Sequence, residues 1–231
     1  MNIDDDKRWA KWATLGGVGF VVLNVVGAIL MGSLPTADET NEEVLAWFAD
    51  KESGIRTAGL LSALSIILLL GWFGSLWRRI ADSETRQNLL SELSLIGLWG
   101  GGALWGVSMA IYSAVAMRVD DMPAQEARFF YALAGTVLAF SGAFLVVHLV
   151  STNLRALRTG VLPKWNALLG FLPAALFLVS TTSVMTDSNV PMITRGLGFI
   201  AWAIWILATS FQMWKTADDN ISKRRRALRS P

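Results

Sequence analysis

The chain has 231 residues, 53% of them hydrophobic, with 11 Trp, no Cys and one His, and its 20 Lys+Arg against 18 Asp+Glu leave a formal net charge of +2. Six windows of 19–25 residues contain no Asp, Glu, Lys or Arg, so all 38 charged residues fall in the other 103. A soluble α-helix keeps a charged face and a lipid-facing one cannot, which excludes a soluble enzyme, a disordered chain and a disulfide scaffold.

The segregation predicts an all-α fold. It is a six-transmembrane-helix bundle in one integral membrane domain, residues 1–231, with spans at 12–31, 57–77, 93–117, 129–150, 165–185 and 196–214. At about 1.5 Å per residue even the shortest window approaches the roughly 30 Å of hydrocarbon. Strands of a membrane barrel would instead alternate in polarity. The first span has no A-x-A cleavage site after it and follows Asp4, Asp5 and Asp6, so it reads as a signal anchor. With the N-terminus inside, the cytoplasmic segments hold 15 Lys and Arg and the outer ones hold 5. Both termini are therefore expected in the cytoplasm. Trp12, Trp77, Trp165 and Trp214 then all sit at cytoplasmic span ends, where an amphipathic ring is stable.

In the first span Asn24 lies near mid-membrane and is expected to hydrogen-bond across helices, with substrate contact as the alternative. The first connection, residues 32–56, is the longest and lies outside. Its Thr40-Asn41-Glu42-Glu43 is a capping-box pattern, and Val44, Trp47 and Phe48 share a helical face. This predicts a short amphipathic helix over Asn41–Asp50. The connection carries six carboxylates, whereas surface-seeking helices carry Lys and Arg. Packing over the outer mouth of the bundle is therefore favoured over a membrane-surface anchor, and a ligand lid is the sharper alternative to plain packing.

The third span is dense in glycine. Gly97-x-x-x-Gly101 and Gly102-x-x-x-Gly106 let helix backbones approach closely. Trp99 and Trp105 interleave with them, and Trp202 and Trp205 lie in the sixth span. The expectation is a central third helix with aromatics filling the space that Gly leaves. A lipid, quinone or other hydrophobe between those four rings is the functional alternative. In the fourth span His148 is the only ionisable residue other than Tyr inside any span, and such groups often mark proton or ligand paths. Gln212, Thr209 and Ser75 lie at a similar inner depth, so a polar cluster at the cytoplasmic end is one reading. The other is that His148 bonds a neighbouring helix or reaches the interface. Ser108 and His148 differ by roughly 15 Å in depth, which argues against a Ser–His dyad.

In the fifth span Pro173 should kink the helix. Ser180, Thr181, Thr182 and Ser183 form a hydroxyl run that either lines an outward cavity or bonds back to helix carbonyls. Gly196-Leu197-Gly198-Phe199-Ile200-Ala201 matches a dinucleotide pattern by letter, but no strand precedes it, so it is assigned to helix packing. The tail, residues 215–231, carries Lys223, Arg224, Arg225, Arg226 and Arg229. It reads as a topology determinant and solvated tail, with attraction to anionic lipid as the alternative. Nucleic-acid binding is not expected without a folded basic domain.

Catalytic, cofactor and metal sets are not found. There is no H-E-x-x-H, no thiolate site, no P-loop and no intramembrane Lys for a Schiff base. No enzymatic activity and no cofactor are expected. The stretch Glu43-Val44-Leu45-Ala46-Trp47-Phe48-Ala49-Asp50, the run Gly71-Trp72-Phe73-Gly74-Ser75-Leu76-Trp77-Arg78-Arg79 and the later Leu157-Arg158-Thr159-Gly160-Val161-Leu162-Pro163-Lys164-Trp165 carry a resemblance. They resemble a bacterial family of polytopic membrane proteins, common in high-GC Gram-positive species and known only as a domain of unknown function. The resemblance implies a bacterial inner-membrane location and supplies no site residues.

The first expectation is a non-enzymatic binder of a protein partner, a second copy or a hydrophobic small molecule or lipid. The candidate ligand or polar-cluster residues are Asn24, His148, Ser180, Thr181, Ser183 and Gln212, and the candidate apolar lining is Trp99, Trp105, Trp202 and Trp205. A small-solute transporter with an outward cavity near the fifth span is second, and an intramembrane enzyme third. Buried carboxylates, usual in ion-coupled transport, are absent from the spans.

Overall fold

The computed structural model describes residues 3–82, 89–186 and 188–227. In chain order the helices are α1 (Ile3–Met31), α2 (Asn41–Asp50), α3 (Glu52–Asp82), α4 (Leu89–Ala116), α5 (Ala124–Thr159), α6 (Lys164–Leu169), α7 (Phe171–Ser180) and α8 (Val190–Ala227). Short 3₁₀ turns cover Val119–Asp121 and Thr181–Val184. Ser83 and Arg86 in the second connection and Arg229 in the tail lie outside the described residues, as do all side chains up to residue 11, those of residues 81 and 82, and those from 217 onward. The backbone of residues 217–227, which includes the run 223–226, continues α8.

Among the described residues six helices are long and apolar enough to cross a membrane: Trp12–Met31, Glu52–Ile80, Leu89–Ala116, Ala124–Thr159, Lys164–Val184 and Val190–Thr216. Their outward side chains are apolar on every span, among them Ile29, Leu60, Ile96, Phe140, Leu172 and Phe211. A water-facing surface would not concentrate such groups; a lipid-facing one requires them. Several helices outrun the charge-free windows, because a helix does not end where lipid does. α5 continues until Gly160, whose φ of +68° is left-handed and closes the helix through its N–H to the Ala156 carbonyl.

The fifth span is interrupted at Gly170, between α6 and α7. Pro173 has no N–H to offer the Leu169 carbonyl and its ring crowds that group, so the break falls directly after Leu169. Gly170 itself keeps right-handed helical dihedrals and donates to the Asn166 carbonyl, so α6 and α7 continue one span across the interruption.

Consecutive spans pack as antiparallel pairs: α1 with α3, α4 with α5, and α7 with α8. The pairs meet through α3 on α4 and α5 on α7, and α8 closes back onto α1. The fourth span is the most buried of the six and the third the least, which corrects the expectation of a central third helix. Glycine marks where α4 touches one neighbour closely. A Cβ at Gly97 would lie 2.5 Å from the His148 amide nitrogen and 2.7 Å from the Phe144 carbonyl oxygen. The second glycine pair is different: Gly102 meets nothing within 4 Å, and Gly106 only Ile66. In the sixth span Gly198 packs on Phe177, as assigned.

α2 starts at a complete capping box. The Glu43 amide donates to the Thr40 hydroxyl, and the Thr40 N–H donates to the Glu43 carboxylate at 2.7 Å. These bonds hold the Glu43 carboxyl below its ordinary value of 4.5. Val44 and Phe48 are fully buried against α4 and α5, so the helix covers one end of the bundle. Two apolar clusters result. One lies under α2 and the other, larger, fills the opposite half.

Candidate functional site

The close approach of α4 and α5 at Gly97 sets Ser94, one turn earlier, against the buried His148. His148 Nδ1 lies 3.0 Å from the Ser94 carbonyl oxygen and 3.3 Å from its hydroxyl. A carbonyl only accepts, so Nδ1 carries the proton and donates to it, and in the neutral ring Nε2 is an acceptor. Thr152, one turn further on α5, completes the node through its hydroxyl, 2.5 Å from that of Ser94. Phe73 packs edge-on to the imidazole with centroids 5.0 Å apart, and Trp205 lies at 6.3 Å.

Around this node lie buried polar atoms without a partner. His148 Nε2 is one, and the indole N–H groups of Trp72, Trp202 and Trp205 are three more. Trp72 and Trp205 meet edge-to-face at 5.9 Å. Gly17 of α1 lets the Trp72 edge in. A Cβ there would lie 2.6 Å from Trp72 Nε1 and 2.5 Å from the Ser210 hydroxyl, itself unpartnered. Immediately before Ser210, Thr209 donates to Asn166 Oδ1 at 3.1 Å and leaves Asn166 Nδ2 without an acceptor. Asn153 donates to the Leu149 carbonyl at 2.7 Å and leaves Oδ1 without a donor. Its carboxamide occupies the space a side chain at Gly170 would need, so the break in the fifth span faces this layer.

Native structures leave few buried polar groups unpaired, and such groups concentrate where water, a functional role or strain accounts for them. Here acceptors and donors from α3, α5, α6 and α8 gather in one half of the bundle, walled by indole and phenyl rings. The arrangement suits a largely apolar molecule with an oxygen that accepts from indole N–H groups.

The sequence-predicted residues divide sharply. His148, Trp202 and Trp205 belong to the layer, and Thr209 joins it. Gln212 is half-buried and makes no side-chain hydrogen bond into it among the described residues. Trp105 donates to Ser62 at 2.6 Å and meets Phe199 edge-to-face, so it braces α4 against α3 and α8 elsewhere. Trp99 is 56% exposed and faces outward, which removes it from any internal lining. Asn24 donates to the Phe20 carbonyl of its own helix at 2.8 Å, not across to a neighbour. Ser180 and Thr181 donate back to Phe177 and Leu178, the bonding-back alternative. Ser183 has a buried hydroxyl without a partner, on the 3₁₀ turn at the α2 end. Ser108 donates to the Ala134 carbonyl and is not near His148, so no dyad exists.

Sequence reading missed Ser94, Thr152, Asn153, Asn166, Trp72 and Ser210. Thr152 and Asn153 lay beyond a window ended at 150. The signal for a longer helix was Gly160 followed by Pro163, a stop pattern ten residues on. Comparison with known protein families, with characterised proteins and with solved structures found no match.

Proposed function

We propose that the chain is a six-pass protein of a bacterial inner membrane, with both termini cytoplasmic, that binds a largely apolar molecule bearing a carbonyl or hydroxyl group. The observation that carries the reading is the buried layer of unpartnered indole, imidazole, carboxamide and hydroxyl groups around His148. The basic residues, 15 to 5 by side, support the orientation and put α2 outside. They put the layer in the cytoplasmic half. The ligand lies between apolar rings and lends its oxygen to the Trp72 and Trp205 N–H groups, while His148 Nε2 accepts from a hydroxyl or a bridging water.

An outward-opening transporter would line its cavity with several of Asn24, Ser180, Thr181, Ser183 and His148. Asn24, Ser180 and Thr181 each donate to a carbonyl of their own helix, which weighs against it, while Ser183 keeps an unpartnered hydroxyl at the α2 end. The test is native mass spectrometry of protein extracted in mild detergent, comparing wild type with the Trp72→Phe/Trp205→Phe double variant. These substitutions keep the rings and remove the two N–H donors. A discrete adduct on the wild type that is lost from the variant is expected. A bare wild-type mass under conditions that preserve bound lipid, or an adduct equally retained by both, would overturn the reading.

A further inference from the structure

The α2 end holds a second set of unused groups that shares no residue with the layer. Trp47 and Phe48 of α2 meet Tyr112 of α4 and Tyr131 of α5, with centroids 5.9–6.3 Å apart, and the two tyrosine rings lie 5.8 Å apart. The segment before α2 is tied down over this box. The Tyr131 hydroxyl donates to the Pro35 carbonyl at 2.6 Å and Arg128 donates to that of Ala37 at 2.8 Å.

Arg195 enters from α8. An arginine at the end of a span normally extends to water. This one reaches inward, where Nη1 donates to the Gly135 carbonyl at 3.3 Å, one turn deeper on α5 than Tyr131. It is close enough to Tyr112 and Tyr131 to interact electrostatically with both. Its Nε is buried without a partner, and so is the indole N–H of Trp47 against the same Tyr131. A guanidinium cannot discard its charge, and Arg195 is half-buried with its Nε fully enclosed, so an anion placed there gains a charge-assisted bond. Among the described residues no carboxylate pairs with Arg195. Four loop acids are committed elsewhere: Glu39 to Thr36, Glu43 to Thr40, Asp50 to Lys51 and Glu52 to Arg56.

We infer that Arg195, with the Trp47 N–H, binds an oxyanion beneath α2. A carboxylate or phosphate presents two oxygens that match the guanidinium fork, and the aromatic box accepts an apolar group attached to it. α2 is then the cover of the site. A lipid phosphate and a free aryl carboxylate share this chemistry.

Thermal unfolding of the full chain in bicelles separates them. One arm adds phosphatidylglycerol to phosphatidylcholine bicelles; the others add benzoate or inorganic phosphate to phosphatidylcholine alone. Wild type should be stabilised in at least one arm, and Arg195→Gln should lose that response. Response to phosphatidylglycerol alone assigns the anion to a headgroup, and response to benzoate or phosphate assigns it to a soluble species. Arg118→Gln, exposed near the same end of the bundle, should respond as wild type does. If Arg195→Gln is not monodisperse, Trp47→Phe decides, with binding at least threefold weaker expected. No response from wild type in any arm, or an undiminished response from Arg195→Gln or the deciding Trp47→Phe, would overturn the inference.

Discussion

Replacing Gly97 by alanine tests the contact on which the His148 node depends. The new Cβ would lie 2.5 Å from the His148 nitrogen, where ordinary contact begins at 3.4 Å, so α4 and α5 must separate by about 0.9 Å. Both opposing atoms, the His148 nitrogen and the Phe144 carbonyl oxygen, are backbone, so no side chain can swing away. The 3.0 Å bond from His148 to the Ser94 carbonyl would stretch to nearly 4 Å and cease to be one. Gly102→Ala in the same helix is the matched control, because a Cβ there meets nothing within 4 Å. Both changes gain the same helix propensity, about 0.5–1 kcal/mol, so the difference between them isolates overpacking, about 1–3 kcal/mol. Thermal unfolding of the two variants in one detergent should place Gly97→Ala several degrees lower, with weaker retention of any bound molecule. Equal stability of the pair would refute the close helix contact and the node built on it.

Orientation is checked in intact cells, where a single Cys at Ser53 should react with an impermeant thiol reagent and one at Ser83 should not. Trp205→Ala should destabilise by about 3–5 kcal/mol, as for other large core aromatics, whereas the outward-facing Trp99→Ala should change stability by less than about 0.5 kcal/mol; comparable losses in chemical unfolding would contradict their placement. The depressed Glu43 value means that the cap's contribution is fully present above the ordinary 4.5 and is lost as pH falls through the lower folded value. The protection factors of the α2 amides, which divide out the intrinsic exchange rate, should therefore fall on acidification below 4.5, and Glu43→Gln should flatten that dependence.

The spans were legible because a bilayer forbids charge over some twenty residues, a constraint no soluble core imposes. The Thr40–Glu43 pair was legible because its bonds are local, three residues apart. The layer around His148 was not, since its members come from six helices and no spacing in one helix reports a neighbour on another. The mistake over Trp99 has a related cause. Lipid and protein interior are both apolar, so the hydrophobic pattern that separates inside from outside in a soluble helix is silent here, and Trp99 reads the same as Trp205. The glycines of the third span announced a close contact, correctly at Gly97, but closeness to one partner does not make a helix central.

The pairwise packing of consecutive spans has a consequence for how the molecule is made. Each span meets its main partner as soon as the next one leaves the ribosome, so three helical hairpins form from local contacts alone. The layer draws on all of them: Gly17 and Trp72 from the first, Ser94, His148, Thr152 and Asn153 from the second, and Asn166, Trp205, Thr209 and Ser210 from the third. No hairpin contains it, and no two complete it. Its assembly is the last event of biogenesis, and a molecule bound there would act as the keystone that holds the three preformed pairs together.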